Sequence, residues 1–404
     1  MDNKIAKLET AAKVESCLKI ISNLNIKPQT KLKILSVYLP SQISFNLRIY
    51  SFSPTWISEA IDSVCVKYVR AWIEAPVSSC IEEWLVTPVK KCGLGIASFR
   101  IRSENLTLSK QNALMKSKNN CIRELWQESN RFNVSSDSLL CDNVSFKSVL
   151  KHQREQQYSK ASDHFLGLKT QGVIAKSISE YIPPGQIKHW NSVIEKQSGY
   201  IFNFTRKAVQ SQLPTLLNVF RWNRAPSNLC PRCGLIQSNK HVLSNCGAPE
   251  ALARYTERHN RILMLLIDWI RPKLNPDVEI FCDLQLAGTR HVSELFNHFK
   301  PDLALKNSKK VGLLELTVCH ETNFMASRNY KLNKYGNIAC DRSSLIKDVA
   351  ISLSTCEVST LGFVALEPKF LADWTLPPLD NECLKSIIKS AVVSSFEIYA
   401  KRNI

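Results

Sequence analysis

The chain has 404 residues, with 53 Lys and Arg against 35 Asp and Glu, a formal charge of +18 and a pI of about 9.3. Hydrophobic residues at 44% and charged residues at 22% exclude wholesale disorder and a fibrous repeat, and the length suits two or three domains. Only 12 glycines predict abundant helix over a turn-rich β architecture, and no apolar run approaches the roughly 18–20 residues of a membrane span. The start, MDNKIAKLETAAK, has no apolar h-region, so a non-secreted chain without membrane partners is expected, and its 14 cysteines read as reduced thiols, some of them free to ligate metal. The surplus positive charge points to nucleic acid, which a protein grips by releasing counterions from phosphates; a merely soluble basic protein is the plain alternative.

From residue 1 to about 130 the apolar pattern is helical. One stripe runs over Lys31 to Leu47 with an interruption expected at Pro40, and another over Trp56 to Trp72 through Ile57, Ile61, Val64 and Tyr68. Lys90 to Arg100 (KKCGLGIASFR) reads as a loop or short strand, and the polar run from Asn130 to Ser145 as a linker. Between Lys196 and Pro249 there is no Asp or Glu, while Arg206, Arg221, Arg224, Arg232 and Lys240 alternate with Tyr200, Phe202, Phe204, Phe220 and Trp222. Such a stretch fits a surface that tracks phosphates and stacks bases, or else a core of aromatics under a solvated basic face.

Inside it lies Cys230-x2-Cys233-x7-His241-x4-Cys246. Three thiolates and an imidazole at this spacing suit tetrahedral zinc, and Gly234 lets the backbone turn tightly around the ion; buried thiols are the alternative. A long helix follows, with Leu252, Tyr255, Ile262, Leu263, Leu266, Ile267 and Ile270 in one stripe ending near Pro272. His259 falls on that stripe as a core or catalytic histidine, and Arg258 beside it is placed to reach a phosphate.

The block from Phe299 to Tyr335 carries the chemistry. It parses as a strand from Asp302 to Lys306, a polar turn, a strand from Val311 to Val318 and a helix from Asn323 to about Ile338. Glu315 stands inside the apolar run LLELTV, where an unpaired carboxylate would cost several kcal/mol, so it needs a cation. Asp302 and Glu315 together make a candidate Mg²⁺ site. Arg328, Lys331, Lys334 and Tyr335 share one face of the helix, from which a lysine can stabilise charge developing on a phosphate. This is the logic of PD-(D/E)xK nucleases, except that Thr317 stands where the lysine usually does; a structural buried salt bridge is the alternative.

KPDLAL, LLELTVCHE and YKLNKY, preceded by RYTERHN and CPRCG…HVLSNC, resemble the C-terminal part of non-LTR retrotransposon polyproteins that carry a restriction-like endonuclease. Upstream, IKPQTKLKILSVYLP, VRAWIEAP and KKCGLGIASF resemble the thumb and post-thumb segments of their reverse transcriptase, with Cys92 and Ala97 as departures. The resemblance implies a multidomain α+β chain: a helical thumb-like region (1–130), a helical linker (131–225), a CCHC zinc knuckle (226–250) and a C-terminal α/β nuclease domain (251–404). It implies Asp302 and Glu315 as magnesium ligands, with Lys331, Lys334, Glu321 and Tyr335 as further catalytic residues. Cys230, Cys233, His241 and Cys246 become zinc ligands, and Arg221, Arg224, Arg232, Lys240, Arg258 and His259 contacts to nucleic acid. Cys319-His320 replaces the usual Pro-Trp ahead of Glu321.

No adjacent Asp-Asp pair occurs in the sequence, so a polymerase centre within it is not expected. The implied activity is magnesium-dependent nicking of target DNA in the nucleus, with element RNA and an upstream reverse-transcriptase core as further partners. A non-catalytic remnant that only binds nucleic acid is the second reading.

Overall fold

The computed structural model describes residues 3–130, 145–347 and 349–402. The polar run assigned to a linker lies almost wholly outside them. The chain is mixed α and β and divides into two compact units, Met1–Gly172 and Val173–Ile404.

The first unit is helical: α1 (Asn3–Asn23), α2 (Pro28–Ile49), α3 (Ser63–Trp72), α4 (Ile81–Val86), α5 (Phe99–Met115), α6 (Asn120–Asn130) and α7 (Phe146–Gly167). The expected break at Pro40 does not occur; α2 runs through it. Proline has no N–H, so the Ser36 carbonyl four residues back loses its helical donor. Arg102 on α5 replaces it, donating from Nη2 to the Ser36 oxygen at 3.1 Å. The segment from Lys90 to Arg100 begins in one 3₁₀ turn, continues as a loop and ends in the first residues of α5. It delivers the first turn of α5 to the buried Asp62, whose carboxylate accepts from the Phe99 and Arg100 amides at 2.6 and 3.1 Å. Ser98 caps the same helix.

The second unit begins with α8 (Val173–Tyr181), α9 (Pro184–Ile194), α10 (Gly199–Val209) and α11 (Leu216–Arg221), followed by the Cys/His segment. Next come α12 (Pro249–Ile270), α13 (Phe324–Lys334) and α14 (Asn381–Ala400), together with six strands: β1 (Glu279–Cys282), β2 (Arg290–His291), β3 (Leu303–Lys306), β4 (Lys310–Cys319), β5 (Ala350–Ser359) and β6 (Val364–Leu366). They form one mixed sheet in the order β2-β1-β3-β4-β5-β6. β3 and β4 are an antiparallel hairpin with Leu303 opposite Leu314. β4 and β5 are parallel, so α13 lies on the crossover between them.

Alternation along β4 sends Leu314 and Leu316 to one face, where they pack with Ile262, Leu266 and Ile267 of α12 and Ile387 of α14. Val311 and Leu313 turn to the other face, with Phe281, Phe296 and Tyr335. Glu315 shares that second face by the same period of two.

Gly312 faces Trp374, and a Cβ there would press on the indole nitrogen and lie 2.9 Å from Cε2. Gly312→Ala should therefore lower stability by about 1–3 kcal/mol, read as a lower urea midpoint; an unchanged midpoint would show that Trp374 yields freely.

Candidate functional site

Antiparallel register places the residue before β3 beside Glu315. The Asp302 amide donates to Glu315 Oε1 at 3.0 Å, and the Leu316 amide donates to Asp302 Oδ2 at 2.8 Å. The two carboxylates thus meet at the end of the hairpin. Lys331 reaches them from α13, with Nζ 2.6 Å from Glu315 Oε2 and 3.7 Å from Asp302 Oδ2. From the other side of the sheet comes His259 of α12, whose Nε2 lies 3.4 Å from Asp302 Oδ1 and 3.2 Å from the Leu316 carbonyl oxygen. Glu315 has no exposed surface, whereas the Lys331 and Asp302 side chains keep 16% and 14% of theirs, so the cluster opens to solvent along one edge.

The charges follow this geometry. Burial first, then the Asp302 carboxylate, push Glu315 up to about 7 against the pull of Lys331. Burial also opposes charge on Asp302, but the hydrogen bond to His259, with Lys331 nearby, holds it below the usual aspartate value. His259 is raised despite its burial because Asp302 favours the imidazolium, and Lys331 is raised despite its burial by the two carboxylates. Tyr335 is buried; its hydroxyl donates to the Lys300 carbonyl at 3.0 Å, and the Lys334 ammonium lies 4.8 Å from its ring centroid.

Three sequence expectations are corrected. Arg258 is not at a surface: it is 1% exposed, lies over the Tyr255 ring and donates to Ser395 Oγ at 2.9 Å. Glu321 does not join the two carboxylates. It is buried and accepts from Thr360 Oγ1 at 2.9 Å and the Leu361 amide at 2.8 Å, tying the end of β4 to the turn before β6. Burial also removes much of the aromatic and basic surface expected in the acid-free stretch. Phe202, Phe204 and Arg206 are core residues, with the Arg206 guanidinium 4.8 Å from the Phe202 ring centroid and bonded to Asn191. Tyr200, Arg221 and Arg224 remain exposed. Arg232 pairs with Glu250 at 3.3 Å, and Lys240 donates to Asn323 at 2.9 Å. Sequence reasoning passed over Glu357, a buried carboxylate on β5 that accepts from Arg328 of α13 at 2.9 Å. Its signal was the cationic face of α13, where Lys331 meets Asp302 and Glu315 while Arg328 meets Glu357 and Glu367.

The second cluster is the knuckle. Cys230, Cys233, His241 and Cys246 bring one ligand atom each to within 4.8 Å of one another, a group that can hold a metal such as zinc. Tetrahedral zinc with bonds of about 2.3 Å to sulfur requires S···S edges of about 3.8 Å. The Cys246 and Cys233 sulfurs are 3.8 Å apart, those of Cys230 and Cys246 4.0 Å, and Cys233 Sγ is 3.4 Å from His241 Nε2. Gly234 takes φ of +74° as the turn closes, and its amide donates to the Cys230 carbonyl at 2.9 Å. Tyr255 on α12 holds the far side. Its hydroxyl accepts from the Cys246 amide at 3.2 Å and faces the carbonyl oxygens of His241 and Val242 at 3.1 and 2.8 Å.

Among known proteins, no family model matches the chain and no curated sequence matches it. No helix among the described residues is long and apolar enough to cross a membrane.

Cys246→Ala should lose one zinc per chain by native mass spectrometry and lower the melting temperature; an unchanged zinc content would exclude Cys246 as a ligand. Glu315 supplies a pH test. Its folded value of about 7 exceeds the ordinary 4.5, so folding favours the protonated carboxyl. The stability it contributes is complete below about pH 4.5 and is lost as pH rises through about 7. Without added divalent cation, wild type should fall behind Glu315→Gln over that range by on the order of 1–3 kcal/mol. Urea midpoints measure this, and a pH-independent difference would contradict it.

Proposed function

We propose that the second unit is a metal-dependent phosphodiesterase that nicks DNA, of the restriction-like kind carried by non-LTR retrotransposon polyproteins. The observation that carries this reading is the convergence of Asp302, Glu315 and Lys331 at one sheet end. Asp302 and Glu315 would hold Mg²⁺: their oxygen donors are of the hard kind this ion takes, and the ammonium between them marks a locus where positive charge is favoured. When bound, the ion would supply Lewis acidity toward a phosphate oxygen.

The chain's own groups do the rest. His259 keeps Asp302 oriented and ionised. Lys331, close to both carboxylates and partly open to solvent, stabilises the negative charge that grows on the phosphate as the bond breaks. Thr317 has no cation to offer, so Lys331 takes from the helix the role that the strand position usually fills. The exposed Arg221 and Arg224, the knuckle and the overall charge of +18 supply contacts to DNA or element RNA. Work in the nucleus beside an upstream reverse-transcriptase core belongs to the same proposal.

One observation favours a second reading, a nucleic-acid-binding remnant without catalysis: the Lys331 ammonium already sits on Glu315 Oε2 at 2.6 Å, where a divalent ion would bind.

The full chain should nick supercoiled plasmid with Mg²⁺, and Asp302→Ala and Glu315→Ala should each abolish cleavage. Lys331→Ala should slow it by about 10²–10³-fold. Nicking that survives the double carboxylate variant would sink the nuclease assignment; salt-sensitive binding with no cleavage by wild type would establish the second reading.

A further inference from the structure

The first unit contains a cluster that the proposed nuclease does not use. Cys80 precedes α4, Glu83 lies on its first turn, and His164 comes from the last turn of α7. Cys80 Sγ is 2.8 Å from Glu83 Oε2, and His164 Nδ1 is 3.0 Å from Glu83 Oε1. The three residues each bring a ligand atom to within 4.8 Å of the others.

We propose that Cys80, Glu83 and His164 form a second metal site, separate from the knuckle, that takes zinc or a similar borderline divalent cation. The donor set makes the choice. Magnesium and calcium want oxygen throughout, whereas a thiolate, an imidazole and a carboxylate together suit a borderline ion. One thiolate and one carboxylate also balance a charge of 2+. As the sulfur–metal bond forms, the thiol proton passes to solvent and no electrons are transferred.

The supports are rigid. Trp84 beside Glu83 and Phe165 beside His164 are both fully buried, which anchors the backbone next to each ligand. The loop carrying Cys80 is fixed from behind: its amide donates to Gln171 Oε1 at 2.5 Å, and Gln171 Nε2 donates to the Ser78 carbonyl at 2.5 Å. Side chains one step removed from a metal orient ligands in this way. Three protein ligands leave a fourth position, and the His164 side chain, 59% exposed, opens that position to water. The spacing from Cys80 to Glu83 repeats the Cys-x2-Cys separation of the knuckle, with carboxylate in place of the second thiolate.

The test is made on the full chain, metal-stripped and then titrated with Co²⁺, and separately loaded with Zn²⁺ and dialysed. Mass spectrometry of zinc content should give one equivalent fewer per chain for Cys80→Ser with His164→Ala than for wild type. The Cys246→Ala knuckle variant should keep the equivalent that the double variant loses. In the cobalt titration the double variant should lack one increment of near-ultraviolet thiolate-to-cobalt absorption. Since Cys80 also packs beside α4, His164→Gln on the exposed face is a second variant that preserves the fold by circular dichroism and should lose the same equivalent. Equal zinc content and equal cobalt spectra in wild type and both variants would overturn the proposal and leave Glu83 as a hydrogen-bonded tie between two helices.

Discussion

The buried carboxylate of Glu315 is the constraint around which the second unit is arranged. A carboxyl group with no exposed surface, in the middle of a strand whose neighbours are Leu314 and Leu316, must be met by charge or hydrogen bonds. Every element near it answers that demand. The hairpin register brings the Asp302 amide to one oxygen, and the crossover to β5 carries α13 across the face so that Lys331 reaches the other. Because β4 and β5 run parallel, the connection had to cross over the sheet, and a helix on that crossover is the economical way to bring a cation back to the strand it left.

The carboxylate site was legible in the sequence because its parts sit in periodic elements. A strand repeats every two residues and a helix about every 3.6, so Asp302, Glu315 and the lysine face of α13 can be placed from spacing alone. The knuckle's Cys/His cluster was legible for a different reason: its four residues lie close together in the chain, at a spacing that suits zinc. What spacing does not encode is which side of an element faces the core when charge is involved. Arg258 and Glu321 look like surface groups by type, yet both are buried, and Ser395 and Thr360 lie between them: Ser395 Oγ accepts from Arg258 and donates to the Thr360 carbonyl, while Thr360 Oγ1 donates to Glu321. Only the three-dimensional packing of α12, α14 and the β5–β6 turn makes that network possible. Pro40 misled for the opposite reason, since its local rule is sound and a distant arginine repaired the damage.

The two Cys/His-bearing clusters differ in how they are built. The knuckle draws its three cysteines and one histidine, a group that can hold a metal, from one short stretch of chain, so its geometry is set locally. The Cys80 cluster draws on two helices distant in sequence, so its ligand distances report how α4 and α7 pack. The carboxylate site is intermediate, with a hairpin supplying two groups and separate helices supplying His259 and Lys331.

Tyr255 and His259 stand one helical turn apart on α12 and point to nearly the same side of it. The first is fastened to the backbone of the knuckle, the second to Asp302. A roll of α12 about its own axis would break both attachments together. The helix therefore acts as a keyed shaft, and the angular setting of the histidine at the carboxylates is indexed by a tyrosine hydroxyl at the Cys/His turn.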